Sequence, residues 1–270
     1  MLIRGRSAPL RRILVVGDAY GVPALLKRIP EDKVACIMAA AIRPGYLEDL
    51  KTLALRSGIP LIVQPRRDDI YGRTLFLDEL QSLSPDGLIC HSYSMIIPRD
   101  VLELVNGQAF NVHFALLPKN RGPNPVQWSI IRGEEETGVT IHVMTERLDD
   151  GPIIDQITLS IDHSDTWVVL LEKIKNATEI LLDRVLPCLL DGIWIAREQV
   201  EAEATSNTRI PKESYEIDFR AMTDLQIYNL IRAQAHPLAG PFIVGADGVW
   251  RFNRPLTLVE IDELRKRYTV

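Results

Sequence analysis

Apolar residues along this chain fall first into short, tightly bounded runs and later into longer alternating and helical patterns. Residues 13–16, Ile-Leu-Val-Val, form the first run; Gly17 closes it and a helix is predicted from Val22. KVACIMAAAI supplies a second run, ended by Pro44 and Gly45. Leu47, Leu50, Leu53 and Leu55 give residues 46–57 helical spacing, with Gly58 placed as a C-terminal cap. Residues 59–63 read as a third strand, 75–83 as a helix and 86–92 as a fourth strand. A short helix over 98–104 precedes a fifth strand, 109–114. Such alternation implies a parallel, doubly wound sheet.

Beyond Gly133 the pattern changes. TGVTIHVM, residues 137–144, alternates and turns Val139, Ile141 and Val143 to one side. PIIDQITLSI, residues 152–161, is its expected antiparallel partner. Residues 166–190 predict a long helix with a stripe of Val169, Leu170, Ile174, Ala177, Ile180, Leu181, Val185 and Leu189, capped by Asp162 or Ser164. Polar TSNTRIPKES then sets off a tail with one helix (224–235), a turn at HPLAGP and two short strands. The expected fold class is α/β: a Rossmann-like domain with a mainly parallel sheet over 1–204, plus a small C-terminal α+β appendage over 205–270.

Composition narrows the partners. Apolar residues make up 46% and charged residues 25%, as in ordinary globular chains. A net charge of −5 lacks the basic face of a general nucleic-acid binder, although Arg11–Arg12, Arg66–Arg67 and Arg265–Lys266–Arg267 cluster locally. Cys36, Cys90 and Cys188 suit neither a disulfide framework nor a zinc site, which points to a reducing, cytoplasmic setting. No apolar run reaches the ~18 residues of a membrane span, so no membrane partner is expected.

The glycines of VVGDAYG are spaced G-x-x-x-G, and they read as a plain strand-to-helix turn rather than a dinucleotide loop. His91, His142, His163 and His236 show no i,i+4 pairing and no nearby cysteine pair, so no metal is expected. His142 alternates away from its apolar neighbours and reads as a surface or hydrogen-bonded histidine. Taken alone, His113 also reads as a packed strand residue. Three neighbours reverse that reading. Asn111 shares its strand face; Leu116-Leu117-Pro118 turns the chain at the sheet's C-terminal edge, where open α/β sheets place ligands; and LDDG (148–151) offers two carboxylates before a glycine. An amide, an imidazole and a carboxylate suffice for acyl transfer to an amine.

NVHFALLPKNRGPNPVQWSIIRGEEETGVTIHVMTERLDDGPII resembles the core signature of the folate-dependent formyltransferases: Asn-x-His, Ser-Leu-Leu-Pro, Arg-Gly, Pro and Trp, Thr-Gly-Val-Thr, then Asp-x-Gly. SYSMIIPRDVLEL, RIPKESYEIDF and NLIRAQAHPLAGPF carry weaker similarity to the flanking and C-terminal segments of that family. The resemblance implies a catalytic trio of Asn111, His113 and Asp149, with Asp149 preferred over Asp150. It implies 10-formyltetrahydrofolate as co-substrate, leaving as tetrahydrofolate, held around Met95, Ile96, Ile97 and Leu148, with Ala115, Leu116, Leu117 and Pro118 lining the same cavity. Ala115 departs from the family's serine.

For the acceptor, the acidic chain with 55 residues after Tyr215 resembles the sugar-nucleotide N-formyltransferases more than methionyl-tRNA formyltransferase, whose barrel is larger and basic. A nucleotide-linked amino sugar is the expected small-molecule partner, with no nucleic acid, and hydroxyornithine or methionyl-tRNA as alternatives. Lys119 and Arg121 would meet a diphosphate; Tyr93 or Trp128 would stack on a ring. Each has a plain alternative as a surface cation or packed aromatic. Residues 241–259 are expected to lend strands to a homodimer.

Overall fold

The computed structural model describes residues 2–211, 215–245, 248–252 and 254–268. Its elements are β1 (Leu2–Arg6), β2 (Ile13–Gly17), α1 (Gly21–Leu26), β3 (Val34–Ala40), α2 (Pro44–Ser57), β4 (Leu61–Gln64), α3 (Ile70–Ser82), β5 (Gly87–His91), α4 (Arg99–Leu104), β6 (Ala109–His113), α5 (Pro125–Ile131), β7 (Glu136–Val143), β8 (Ile153–Ser160), α6 (Trp167–Leu190), β9 (Ile193–Arg197), α7 (Asp224–Ala233), β10 (Phe242–Gly245), β11 (Gly248–Arg251) and α8 (Leu258–Tyr268).

One sheet runs β1-β9-β8-β7-β6-β5-β2-β3-β4. The pairs β3·β4, β2·β3, β2·β5 and β5·β6 are parallel, as the alternating strands and helices predict. From β6 onward the sense reverses: β6·β7, β8·β9 and β1·β9 are antiparallel. The chain steps outward from β2 to β4 and then returns to lay β5 on the other side of β2, which opens a crevice at the carboxyl ends of these strands.

Packing groups the chain differently from a division at residue 204. One compact unit holds 1–113, 139–157 and 178–202; the other holds 114–138, 158–177 and 203–270. In the first, Leu14, Val16, Cys36, Met38, Leu80, Leu88 and Val101 lie in a core that Phe76 and Ile62 help close. In the second, Ile217, Phe219, Ile227, Ile231, Ile243 and Ile261 form a separate core.

Several boundaries have local causes. Gly58 ends α2 with φ 67°, and its N–H caps the carbonyl of Ala54. Gly17 and Gly21 are required by close approach: a Cβ on either would sit 2.3 or 2.2 Å from the His91 carbonyl oxygen. Asp18 accepts from the N–H groups of Tyr20 and Gly21, so the turn is satisfied internally. Burial raises the Asp18 pKa, against the lowering effect of those N–H donors.

Other expectations need correction. α3 starts at Ile70, not at residue 75, because Asp69 accepts from the Gly72 N–H at its N-terminus. Its apolar Ile70, Tyr71 and Leu75 are exposed, so the hydrophobic spacing misplaced the start. Thr166, rather than Asp162 or Ser164, caps α6 by accepting from the Val169 N–H at 3.4 Å. Val169 and Ile180 lie off the buried stripe of that helix. Of RIPKESYEIDF, residues 212–214 lie outside the described residues, as do 246, 247 and 253 of the expected strand region 241–259.

Candidate active site

Strand period alone places Asn111 and His113 on one face of β6. The antiparallel neighbour β7 sets His142 opposite Asn111 and Thr140 opposite His113. After β7 the chain loops back, and Val143 N–H donates to the Pro152 carbonyl as β8 begins. Asp149 lies within that loop and faces the same side.

The carboxylate of Asp149 stands between two imidazoles. Its Oδ2 is 3.6 Å from His113 Nδ1, and its Oδ1 is 3.5 Å from His142 Nε2. Asn111 Nδ2 approaches His142 Nε2 at 3.1 Å and donates to Asp149 Oδ1 at 3.4 Å. His142 Nδ1 lies 2.9 Å from the Val143 carbonyl oxygen, an acceptor, so that nitrogen carries its proton. The side chains of His113, His142 and Asp149 are all more than nine-tenths buried. In such surroundings a hydrogen bond gains electrostatic strength and an unpaired polar group costs more.

Asp150 points elsewhere. It accepts from Thr145 Oγ1 and pairs with Arg147 Nε at 2.7 Å. Gly151 is pinned, since a Cβ there would meet the Val143 carbonyl oxygen at 1.9 Å. Of the two neighbouring carboxylates, therefore, only Asp149 joins the histidines.

His142 is the residue that sequence reasoning missed. Its alternation away from Val139, Ile141 and Val143 is correct, but that face is covered, and His142 is buried against Asn111 and Asp149. The available signal was register: once Asn111 is placed on β6, its cross-strand neighbour joins the site.

Beside the site, on the neighbouring strand, Cys90 pairs in register with Asn111. Its thiol pKa is pushed up, first by burial and then by the negative charges of Asp149 and Asp18. His91 is fully buried with its ring edge-on to Tyr20, and burial lowers its pKa to about 3. It therefore stays neutral and serves the core.

The other predicted residues divide between the units. In the first, Met95 is half-buried, Ile97 buried, and Ile96 and Leu148 expose large apolar side chains. An ion pair of Arg99 Nε with Glu146 at 3.2 Å holds the loop of Met95–Ile97 beside the loop of Leu148–Asp149. Ile96 uses its carbonyl to accept from Gln64 Nε2 at 2.9 Å. Tyr93 donates its single hydroxyl proton to Gln64 Oε1 at 2.9 Å, with the Ala39 carbonyl also within reach at 3.3 Å; burial raises its pKa. In the second unit, Ala115 and Leu117 are buried, and Leu116 and Pro118 partly so. Lys119 is exposed, while Arg121 is buried, its backbone tied to Thr205 and Asn207. Trp128 donates to the Thr208 carbonyl at 2.9 Å and carries the Arg132 guanidinium over its ring.

Among the described residues no group of three or more His, Cys, Asp or Glu side chains could hold a metal ion, and no helix is long and apolar enough to cross a membrane.

Residues 63–186 match the family described as formyl transferase. A methionyl-tRNA formyltransferase from Caldanaerobacter subterraneus subsp. tengcongensis is 36% identical over 229 residues, covering 82% of this chain and 73% of that protein. Among solved structures, a 4-N formyltransferase from Francisella tularensis is similar with a TM-score of 0.72 and 19% identity, over 93% of this chain and 99% of that one. A sugar N-formyltransferase from a Shewanella species gives 0.69 at 19% identity, over 92% and 98%. An N-formyltransferase from Helicobacter canadensis, in complex with folinic acid and dTDP-3-aminofucose, gives 0.63 at 22% identity, over 83% and 80%. At these identities the structural likenesses speak for the fold.

Proposed function

Since the chain belongs to the formyl transferase family, we propose that it moves a formyl group from 10-formyltetrahydrofolate to the primary amine of a nucleotide-linked amino sugar. It is a formyltransferase; the acceptor is the finer part of this reading. The observation that carries the chemistry is the buried Asp149 carboxylate set between His113 and His142, with the Asn111 amide against it.

The folate donor supplies an activated formyl carbon. The residues present suit it: exposed Ile96 and Leu148, on loops joined by Arg99–Glu146, offer apolar walls to a flat ring, and the main chain of both loops offers hydrogen-bonding groups. Asp149 faces His113 Nδ1 and holds a proton there, which leaves Nε2 to accept the proton of the attacking amine. Asn111 donates an N–H to the oxygen on which charge develops. Asp149 orients the imidazole, and the proton that Nε2 takes from the amine is the one available to return toward the departing nitrogen. Burial excludes water from these groups and strengthens each contact.

For the acceptor, the Helicobacter enzyme was solved with dTDP-3-aminofucose, and the Francisella and Shewanella enzymes are nearly coextensive with this chain. The net charge of −5 also weighs against a polyanionic acceptor. A second reading, methionyl-tRNA, is favoured by the 36% identity of the Caldanaerobacter relative. Incubating the protein with 10-formyltetrahydrofolate and a panel of UDP-, dTDP- and GDP-amino sugars, hydroxyornithine and methionyl-tRNA should give a formylated amino sugar. Formylation of methionyl-tRNA or hydroxyornithine alone would overturn the acceptor.

The proposal extends to a homodimer through the C-terminal part. The β10–β11 hairpin exposes Val244, Val249 and Trp250, and a two-stranded ribbon with open apolar residues gains from a second copy. Light scattering at micromolar concentration should report twice the chain mass; a monomer would count against it.

A further inference from the structure

The loop that aims Asp149 is held by a residue outside the trio. Asp149 has φ 52°, in the left-handed region that residues with a side chain adopt uncommonly, aspartate more readily than most. The turn is restrained on three sides. Gly151 is locked against Val143, and Asp150 is fastened by Thr145 and Arg147. The third restraint is Gln199, just beyond β9, whose Nε2 donates to the carbonyl oxygens of both Asp149 and Gly151 at 2.8 Å each. A primary amide has two N–H groups, so both are committed to this one turn.

We propose that Gln199 is a positioning residue for formyl transfer: by holding the two carbonyls it keeps the left-handed backbone at Asp149 and thus the carboxylate between His113 and His142. This rests on the reading of Asp149 as the group that orients His113. The amide is chemically suited to the task. It is neutral, so it grips the backbone without drawing the Asp149 carboxylate away from His113, as a lysine or arginine would. Without those donors, the backbone at Asp149 can return to the ordinary negative-φ region, and the carboxylate turns away from both imidazoles.

The test uses the full chain. Gln199→Met keeps the length of the side chain and removes both donors; Gln199→Glu keeps its shape and sets oxygens against the carbonyls. Each should lower kcat by about 10- to 100-fold, the scale of a small misplacement of a catalytic group. KM for the formyl donor and the acceptor should stay within about threefold. In an Asp149→Ala background, Gln199→Met should change single-turnover rates by less than about twofold, because the group it aims is gone. Full kcat in both single variants overturns the proposal, as does an undiminished further loss in the double variant. Failure of both to fold overturns it too, assigning Gln199 to the scaffold. An Asp149→Ala protein with full activity would instead remove the underlying reading of the site, whatever Gln199 does.

Discussion

Replacing His113 with alanine should leave a folded protein whose formyl transfer is slower by at least ~10², and up to ~10⁴, the range of a lost general base. The side chain closes β6 at the rim of the sheet, and its burial comes from the site groups around it. Its Nδ1 faces Asp149 at 3.6 Å and its ring lies edge-on to His142, with centroids 6.5 Å apart. Neither neighbour can replace it. Asp149 is on the wrong side of the ring to take the amine proton, and His142 is turned by its Nδ1 contact to the Val143 carbonyl, so its Nε2 looks at Asn111 and Asp149. The assay is initial-rate formylation at saturating donor and acceptor, alongside a thermal melt that shows the fold is retained. A His113→Ala protein that keeps its melt and near-wild-type kcat would dismiss the histidine as base.

How this site could be read from the chain differs from residue to residue. Asn111 and His113 are two apart on a strand, and the period of two alone puts them on one face. Asp149 is different: nothing local relates it to His113, LDDG offers two carboxylates without choosing between them, and only the resemblance to a family motif preferred Asp149. The loop after β7 that returns it to the strand is closed at its base by Gly151 on Val143 and, from far along the chain, by Gln199 on the 149 and 151 carbonyls. Gln199 stands in a polar stretch with no periodic neighbour, and no one-dimensional signal marks it. Alternation turned His142 the right way but was silent on what covers that face.

The fold shows the same limit. Strands buried on both faces, β2, β3 and β5, read as apolar runs and are found at their predicted places. β1 and β9 escaped notice because Leu2, Arg4, Arg6, Ile193, Ile195 and Arg197 face outward while Gly5 lies under the Trp194 ring, so neither alternates cleanly. α5 was hidden by its own start signal: Pro125 sits in the first turn, a position that suits proline, within a stretch that reads as loop. α8 buries only Ile261 among its described core-facing positions, too little for a stripe.

Asn111→Ala should cost about 10²–10³ in kcat, or roughly 2.7–4 kcal/mol of barrier, the usual loss for one oxyanion donor. The geometry of the free enzyme explains why so large an effect can come from one amide. Nδ2 is already directed at His142 Nε2 and Asp149 Oδ1, so its position is fixed before any substrate arrives. Its two N–H groups face these acceptors in the free enzyme; the longer contact, to Asp149 at 3.4 Å, is the one released to the oxygen as charge develops, while the contact to His142 keeps the amide in place. Asn111→Asp should be at least as damaging, because it replaces the donor with an anion within hydrogen-bond reach of Asp149, and two carboxylates that close resist sharing full charge. Both variants should bind the formyl donor with little change, since the amide acts on an oxygen that becomes charged only during transfer. Single-turnover rates separate this from a binding defect: the chemical step slows while the donor concentration giving half-maximal rate stays put. If Asn111→Ala instead weakens donor binding and leaves the saturated rate intact, the amide is a binding contact and the oxyanion role passes to another donor.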